Sequence, residues 1–316
     1  MKRRNQNNGG FVMVVVLWVV ALLTVLVLGF GHRASLDRRA AAYALDHAQA
    51  MAAARGAVER GALELANRGL MIRLLPPELR GGTHLGESWA NAKNLYEEGL
   101  FKDTEGMEED QVSYIITDED RFININAAPQ EILEELDMLN RSLVRRIMAR
   151  REKEELPGEG ISYFQSLEEL RYLRGVDDDA WFGTKRQAGL KDLLTVWGDA
   201  RININTASRE VLEAVPGTRT GDLDALFQYR AGSDGKLNTK DDRGFRDMED
   251  LTVKTGILGA TREAFDRFCK CESSFFKITG LATRRKGNIR AVCSAIMGWS
   301  EDGPVIIEWQ EKTLGS

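Results

Sequence analysis

Residues Phe11 to Phe30, FVMVVVLWVVALLTVLVLGF, form a run of twenty residues that contains neither a charge nor a proline. Thr24 carries the only polar side chain in this run. An α-helix rises about 1.5 Å per residue, so a run of this length covers the roughly 30 Å hydrocarbon core of a bilayer. The sequence therefore predicts a membrane-spanning helix over residues 11–30, and the rest of the chain is arranged around it.

The segment before the apolar run is MKRRNQNNGG, a short basic leader that ends in Gly9 and Gly10. An ordinary secretory signal has its small residues after the apolar region, and that region is only about 7–15 residues long. A cut between Gly10 and Phe11 would remove residues 1–10 and leave the apolar helix as the new N-terminus. This layout resembles the leader of type IV prepilins and pseudopilins. The alternative is an uncleaved signal anchor with incidental glycines.

The basic residues at positions 2–4 predict the orientation of the span. Positively charged flanks stay in the cytoplasm, so everything from about residue 31 onward is expected outside it. Arg33, Arg38 and Arg39 lie beyond the other end of the span and weaken this signal.

Composition limits the possible functions of the remaining residues. The chain has 316 residues, a net charge of −5 and a sequence pI near 5.5, whereas nucleic-acid-binding proteins usually present a basic surface. The sequence contains no Gly-x-Ser-x-Gly, no phosphate-binding loop and no His-Glu-x-x-His. We therefore predict neither an enzyme nor a nucleic-acid-binding protein.

The predicted helix continues beyond the membrane through residues 31–75, a segment rich in alanine and free of proline. Pro76 and Pro77 end it, because proline lacks an amide donor and restricts the residue before it. Apolar residues recur at helical spacing through the segment. They are Leu36, Ala40, Tyr43, Met51, Ala54, Val58 and Leu65.

The strand signals lie on either side of a long central segment. Residues 112–117 and 122–125 are typical of a hairpin, and residues 275–281, 289–297 and 305–310 predict an antiparallel meander. A short helix is predicted around Trp89–Glu98. We expect one sheet packed on the N-terminal helix, formed by residues 76–125 and 271–316, with a helical insertion between its strands. The predicted class is α+β.

The central segment, residues 126–270, contains an internal repeat. Residues 121–128, RFININAA, match residues 201–208, RININTAS, and residues 164–170 then match 245–251 after a two-residue slip. Each copy predicts an asparagine-rich turn, two helices, a loop and a third helix capped near Ser166 or Asp247. The matched pairs of residues are Asn124 with Asn203, Asn126 with Asn205, and Arg151 with Arg230.

The Asn-x-Asn turns have two interpretations. Asparagine side chains accept amide hydrogen bonds at helix starts and tolerate left-handed turns, so these residues organise strand-to-helix connections. The alternative is a helix-hairpin-helix module that binds DNA, because Asn-Thr-Ala before Glu-Val-Leu occurs in such modules. Acidic residues on the helices that would approach phosphate oppose it; these are Glu131, Glu134, Glu135, Asp222 and Asp224.

The second copy carries an acidic loop, GSDGKLNTKDD, over residues 232–242. Asp234, Asp241 and Asp242 supply three carboxylates, and Asn238 and Thr239 add oxygen donors between them. Oxygen ligands without histidine or cysteine suit calcium, although the spacing is not that of an EF-hand. The alternative is a solvated acidic turn, and the spacing does not decide between the two.

Three cysteines lie near the C-terminus, at Cys269, Cys271 and Cys293. An oxidising compartment permits one bridge and leaves one thiol over. A bond between Cys269 and Cys271 is unfavourable because residues two apart rarely reach disulfide geometry. We therefore expect Cys293 to pair with one of the other two.

The leader with its long helix, the paired Asn-Ile-Asn turns and the acidic loop together resemble the minor pseudopilin K class (GspK) of type II secretion systems, across nearly the whole chain. The resemblance implies a pilin-like α/β domain with an inserted helical domain and a periplasmic location on a single inner-membrane span. It also implies cleavage and methylation by a prepilin peptidase, and a tip position with minor pseudopilins I and J that supports export of secreted substrates. Calcium in the helical domain is implied as well, on Asp234, Asn238, Thr239, Asp241 and Asp242.

Val15 departs from the pilin pattern, in which the fifth residue after the cleavage site is usually glutamate. That carboxylate neutralises the N-terminal amine of a neighbouring subunit inside the membrane, where unpaired charges are costly. A subunit without it needs no such partner, which predicts the top position in a filament. The rival interpretation of the whole chain is a membrane-tethered DNA-binding protein of an uptake system.

Overall fold

The computed structural model describes residues 9–76, 79–91, 93–94, 111–152, 163–284, 288–300 and 303–314. Within these ranges the α-helices are α1 Gly9–Leu74, α2 Gln130–Glu134, α3 Arg141–Arg151, α4 Asp178–Phe182, α5 Leu190–Leu193, α6 Arg209–Glu213, α7 Thr220–Arg230, α8 Met248–Thr255 and α9 Gly259–Phe268. The strands are β1 Lys93–Asn94, β2 Gln111–Asp118, β3 Ile123–Asn124, β4 Leu194–Thr195, β5 Ile202–Asn203, β6 Cys269–Lys270, β7 Phe275–Arg284, β8 Ile289–Ser300 and β9 Gly303–Leu314.

Helix α1 is continuous from the apolar run to the proline pair that was predicted to end it. Its 66 residues span about 100 Å. The first half is exposed along its length, whereas the second half buries one face. The fully buried hydrophobic residues of that face are Ala50, Ala54, Ala57, Val58 and Leu65.

The buried face of α1 packs on a five-stranded antiparallel sheet with strand order β1-β2-β7-β8-β9. Side chains alternate along each strand, so every second residue faces the helix. In β2 the side chains on that face are Val112, Tyr114 and Ile116, each at most 3% exposed. The predicted α+β architecture, a long helix on an antiparallel sheet with a helical insertion, is confirmed.

Small residues let α1 lie close to the sheet. A Cβ at Gly61 would come within 2.7 Å of Ile278, and a Cβ at Gly69 would overlap the ring of Trp299. The helix therefore supplies gaps and the strands supply the bulky side chains that fill them. This division explains two glycines inside a helix, where glycine costs about 1 kcal/mol relative to alanine.

Two local predictions are wrong. Residues 112–117 do form a strand, but β2 pairs with β7 rather than with residues 122–125. The 3₁₀ turn Glu119–Arg121 redirects the chain, and β3 then pairs in parallel with β4 inside the helical domain. The predicted helix at 89–98 is a 3₁₀ turn at Ser88–Ala90 followed by strand β1, and its remaining residues lie outside the described ranges.

The repeat is visible as two related helical units. The first runs from β3 through α2 and α3 to β4, and the second from β5 through α6 and α7 to β6. Each unit is closed by a short parallel pairing of its first and last strands. The third helix of the second copy is α8, capped by Asp247, whereas its counterpart behind Ser166 in the first copy is a 3₁₀ helix.

The paired asparagines make equivalent hydrogen bonds in both units. The Asn126 side chain bonds the backbone N and O of Phe164, and the Asn205 side chain bonds the backbone N and O of Phe245. Each asparagine thereby ties the turn after the first strand to the loop that precedes the third helix. The structural interpretation of the Asn-x-Asn turns accounts for these bonds.

The matched arginines are also equivalent. Arg151 Nη1 donates to the carbonyl of Ala128, and Arg230 Nη1 donates to the carbonyl of Ala207. Burial lowers the pKa of Arg230 to about 9. In each unit the guanidinium ties the longer helix, α3 or α7, to the turn that follows the first strand of the same unit.

The described chain holds two hydrophobic cores. One lies between α1 and the sheet, and the other fills the helical domain from Ile123 to Cys271. Ile123 and Ile125 belong to the helical core, although the sequence assigned them to the sheet domain. Strand β3 therefore belongs to the helical insertion rather than to the sheet.

Candidate functional site

The predicted processing site lies at the start of α1. Gly10 and Phe11 are both in the first turns of the helix, and Phe11 is 74% exposed. The rest of the predicted leader, residues 1–8, lies outside the described residues. Among the residues that the structure describes, a Cβ at Gly10 would meet nothing within 4 Å, so none of them covers the peptide bond that a leader peptidase would cut.

The apolar span projects from the folded domains with its side chains in the open. Large hydrophobic side chains between Phe11 and Phe30 are 44% to 74% exposed, with Val15 at the lower end. Helix α1 is long and apolar enough to cross a membrane. Exposed apolar surface of this size is stable in a bilayer or against apolar partners, not in water.

The half of α1 that packs on the sheet carries a second apolar surface on its opposite side. With 3.6 residues per turn, the positions pointing away from the sheet share one line along the helix. We call this line the outer stripe of α1. Most of its members are exposed, and the charged residue Glu59 interrupts them. The members are Leu45, Ala48, Ala52, Gly56, Leu63, Ala66, Leu70 and Leu74.

Gly56 distinguishes this stripe from the sheet-facing side. A Cβ at Gly56 would meet nothing within 4 Å, unlike one at Gly61 or Gly69. Packing against the described residues therefore gives no reason for a glycine in the middle of this helix. Glycine and alanine spaced four apart allow two helix backbones to approach closely, as Ala52 and Gly56 would here.

The acidic loop folds around its own carboxylates. Asp241 Oδ2 accepts hydrogen bonds from the Ser233 amide at 2.7 Å, the Ser233 hydroxyl at 2.7 Å and the Asp234 amide at 3.0 Å. Thr239 donates its hydroxyl to Asp241 Oδ1 at 2.7 Å. These donors, led by the Ser233 hydroxyl, hold the pKa of Asp241 well below its usual value.

Asp242 closes the other half of the loop. It is 6% exposed and accepts the amides of Asn238 at 2.8 Å and Thr239 at 3.3 Å. Asn238 has a left-handed backbone with φ of 64°, which asparagine tolerates better than most residues. Gly232 also has a positive φ, and a Cβ there would overlap the Asp241 carbonyl.

The loop offers calcium the right donor chemistry but not a closed set of ligands. Asp234, Asp241 and Asp242 are hard oxygen donors, as calcium prefers. Among the residues that the structure describes, no group of three acidic, histidine or cysteine side chains is placed to hold a metal ion. Amide donors occupy the oxygens of Asp241 and Asp242, so a cation would have to replace several of these hydrogen bonds.

The expected disulfide is not formed. Cys269, Cys271 and Cys293 are all free and buried. Cys269 and Cys271 lie in the helical core, whereas Cys293 lies in the core beneath α1. Burial raises the pKa of each thiol. Cys293 is separated from the other two cysteines because the chain passes from the helical domain to the sheet between Cys271 and Cys293.

A buried polar cluster joins the two domains, and the sequence analysis did not identify it. Asp118 Oδ2, at the end of β2, accepts hydrogen bonds from the side chains of Asn203, Thr206 and Ser273. Asn203 also donates to the carbonyl of Thr83 at 3.1 Å. The cluster therefore ties together the sheet, the second helical unit and the segment that follows α1.

Asp120 adds a second link to the same junction. Its Oδ2 accepts the amides of Ser274 at 2.6 Å and Phe275 at 3.2 Å, and its Oδ1 lies 3.1 Å from Lys270 Nζ. Burial, together with the charge of Asp120, raises the pKa of Asp118 to about 6. The acidic run at 118–120 was the available sequence signal, but its burial was not apparent from the sequence.

No family model and no curated protein matches the sequence. Among solved structures, the chain aligns with a chain of the GspK–GspI–GspJ complex from the type 2 secretion system of enterotoxigenic Escherichia coli. The TM-score is 0.52 and the sequence identity 16%. The chain has the fold of a GspK-like pseudopilin.

The alignment covers 87% of this chain and 99% of the other. The aligned part of this chain is longer than either the helical insertion or the sheet with α1. The similarity to the GspK-like pseudopilin fold therefore extends over both domains. The similarity therefore includes the insertion, which distinguishes this architecture from a helix packed on a sheet alone.

Proposed function

We propose that this chain is a minor pseudopilin of a type II secretion system, seated at the pseudopilus tip with minor pseudopilins I and J, where it supports export of folded proteins across the outer membrane. The outer stripe of α1 is the observation that carries this proposal. It is an apolar helix surface on the side away from the sheet, and nothing within the described chain gives its central glycine a packing role. The GspK-like fold supports the same function.

The outer stripe also limits what its partner is. It continues directly into the membrane-spanning part of α1 without a break in the helix. A helix packed along it would therefore emerge from the same membrane in a similar direction, as the N-terminal helix of another pseudopilin does. In this proposal the prepilin peptidase first cuts between Gly10 and Phe11, and Val15 leaves the new N-terminal region without a membrane carboxylate.

Replacing Gly56 with phenylalanine tests the role of the outer stripe. We expect the variant to fold, because a Cβ at Gly56 meets nothing within 4 Å among the described residues and phenylalanine has a higher helix propensity than glycine. A bulky ring in the stripe prevents close approach of a second helix. Recovery of minor pseudopilins I and J with the purified full-length chain should fall about tenfold, which is a loss of about 1.4 kcal/mol in association free energy.

Arg60→Phe is the matched control, since it places the same ring on the flank of the same exposed helix. It should leave recovery of both partners unchanged. Equal recovery with Gly56→Phe and the wild-type chain would contradict the role of the stripe. Labelling the chain on isolated pseudopili tests the tip position separately, and labels spread evenly along the filaments would contradict that position.

We propose further that calcium binds the acidic loop through Asp234, Asp241 and Asp242, with Asn238 and Thr239 as additional oxygen donors. A ligand that binds only the folded state stabilises it, by about 2.7 kcal/mol at a hundredfold excess over Kd. Calcium should therefore raise the melting temperature of the full-length chain in detergent, relative to chelator. Asp234→Asn combined with Asp241→Asn should abolish the shift, while the single amide oxygen at position 241 can still accept the hydrogen bonds that Oδ2 receives from Ser233 and Asp234.

The control for charge is Asp222→Asn combined with Asp224→Asn on α7, which removes two carboxylates from the same domain. This variant should keep the calcium shift. A wild-type chain whose melting temperature is the same in calcium and in chelator would show that the loop is an acidic turn and would leave the proposed assembly function unaffected.

A further inference from the structure

The internal repeat allows the residues of α3 to be compared with those of α7, the matched helix in the second unit. Helix α3 carries five arginines, whereas α7 carries one. Because both helices pack in the same way within their units, the fold does not require the additional charges. The matched residues, 79 positions apart, are Arg141 with Thr220, Arg145 with Asp224, Arg146 with Ala225, Arg150 with Tyr229 and Arg151 with Arg230.

Two of the five arginines have a role within the domain. Arg151 donates to the Ala128 carbonyl, the bond that Arg230 repeats in the second unit. Arg150 pairs with Glu169 and lies over the ring of Phe164. These contacts explain why the two C-terminal arginines of α3 are there.

The other three arginines make no comparable contact. Arg145 donates to the carbonyl of Arg141, and Arg146 donates to the carbonyl and hydroxyl of Ser142, all within α3. Arg141, Arg145 and Arg146 are exposed, and in the ranges that the structure describes none of them pairs with a carboxylate. Three cations are therefore presented to solvent on one helix.

A neighbouring turn extends this surface. Arg146 Nη2 lies 3.6 Å from the position that a Cβ would take at Gly175, which places the 172–175 turn against α3. That turn contributes the exposed Arg174 and also Tyr172, whose side chain is 89% exposed. We define the arginine face as Arg141, Arg145, Arg146, Arg174 and Tyr172.

We infer that the arginine face binds an acidic surface on another protein. Guanidinium groups pair with carboxylates through two parallel hydrogen bonds, and arginine and tyrosine are the residue types that most often dominate protein interfaces. The chain as a whole carries a net charge of −5. A local cationic surface on an anionic protein orients an acidic partner onto one side of the helical domain.

The surroundings favour a protein over a lipid or nucleic acid. The helical domain joins the chain beside the last turns of α1, where Asn203 bonds to the carbonyl of Thr83 and the hydroxyl of Thr83 accepts from Arg68. Residues 31–68 of the helix separate that point from the membrane span by about 57 Å. A long polyanion would also meet the carboxylates of α2 and α7 on the same domain, whereas a compact group of carboxylates need not.

The inference does not depend on the proposed function, and the repeat supplies the variant that tests it. Arg141→Thr, Arg145→Asp and Arg146→Ala give α3 the residues that α7 already carries in a folded unit. We expect the full-length chain in detergent to bind a fluorescent poly-glutamate peptide in low salt. The triple variant should bind it at least about tenfold more weakly, and added salt should weaken wild-type binding.

The control changes the net charge by the same four units elsewhere on the domain, through Arg219→Gln, Arg243→Gln and Lys254→Glu at exposed positions. It should bind the peptide as the wild type does. Equal losses in the control and the triple variant would show that only net charge matters and would overturn the inference. A second outcome would also overturn the inference: the wild-type chain binds duplex DNA, or vesicles containing an anionic phospholipid, more tightly than the peptide, and the triple variant loses this binding.

Discussion

Replacing Asn205 with leucine is expected to lower the free energy of unfolding by about 4 kcal/mol. Asn205 is 1% exposed, and its amide bonds the backbone N and O of Phe245 and the carbonyl of Cys271. Leucine has the same branched heavy-atom skeleton but neither donates nor accepts. The buried backbone N and O of Phe245 would lose their partners, and the Cys271 carbonyl would keep only the Thr83 amide. Each buried group left without a partner costs about 1–3 kcal/mol.

Urea denaturation of the full-length chain, followed by tryptophan fluorescence, measures this loss. Asn126→Leu is the matched control, because Asn126 makes the corresponding bonds to Phe164 in the first unit. Asn126 is only half-buried, so water can replace part of what the side chain provides. We expect it to cost roughly half as much. An Asn205→Leu variant as stable as the wild type would show that the buried bonds are unimportant to the domain.

Gly280→Ala should separate α1 from the sheet and lower the free energy of unfolding by about 3 kcal/mol, although it adds a single methyl group. Gly280 lies in the middle of β7, and a Cβ there would come within 2.3 Å of the Ala54 carbonyl oxygen. It would also touch Val58 and Ala57. The first of these contacts is with backbone, which cannot rotate away as a side chain can.

Gly56→Ala is the control for this substitution, since it adds the same methyl group to the open side of α1. It should stabilise the isolated chain by about 1 kcal/mol, because alanine is favoured over glycine inside a helix. The two variants are therefore expected to shift the urea midpoint in opposite directions. A Gly280→Ala variant that keeps the wild-type midpoint would mean that α1 does not lie this close to β7.

The cysteines show how far sequence proximity can mislead. Their spacing in the sequence favours a bridge between Cys293 and one of the earlier pair, yet the fold places them in separate cores. The predicted hairpin failed for a related reason. Residues 112–117 and 122–125 both have strand character, but Asp118 and Asp120 turn the chain into the domain junction, and β2 finds its partner in β7, far along the sequence. Local patterns identify strands but do not choose their partners.

The sequence by itself determined the elements that depend on local physics: the apolar span, the continuous helix ended by the proline pair, the meander and the helical repeat. Hydrophobic period, proline and asparagine act over a few residues and can be recognised without the fold. The tertiary structure alone decided the rest. The buried cluster around Asp118, the outer stripe of α1 and the exposed arginines of α3 are defined by which side of each element is covered, and that depends on contacts between residues distant in sequence.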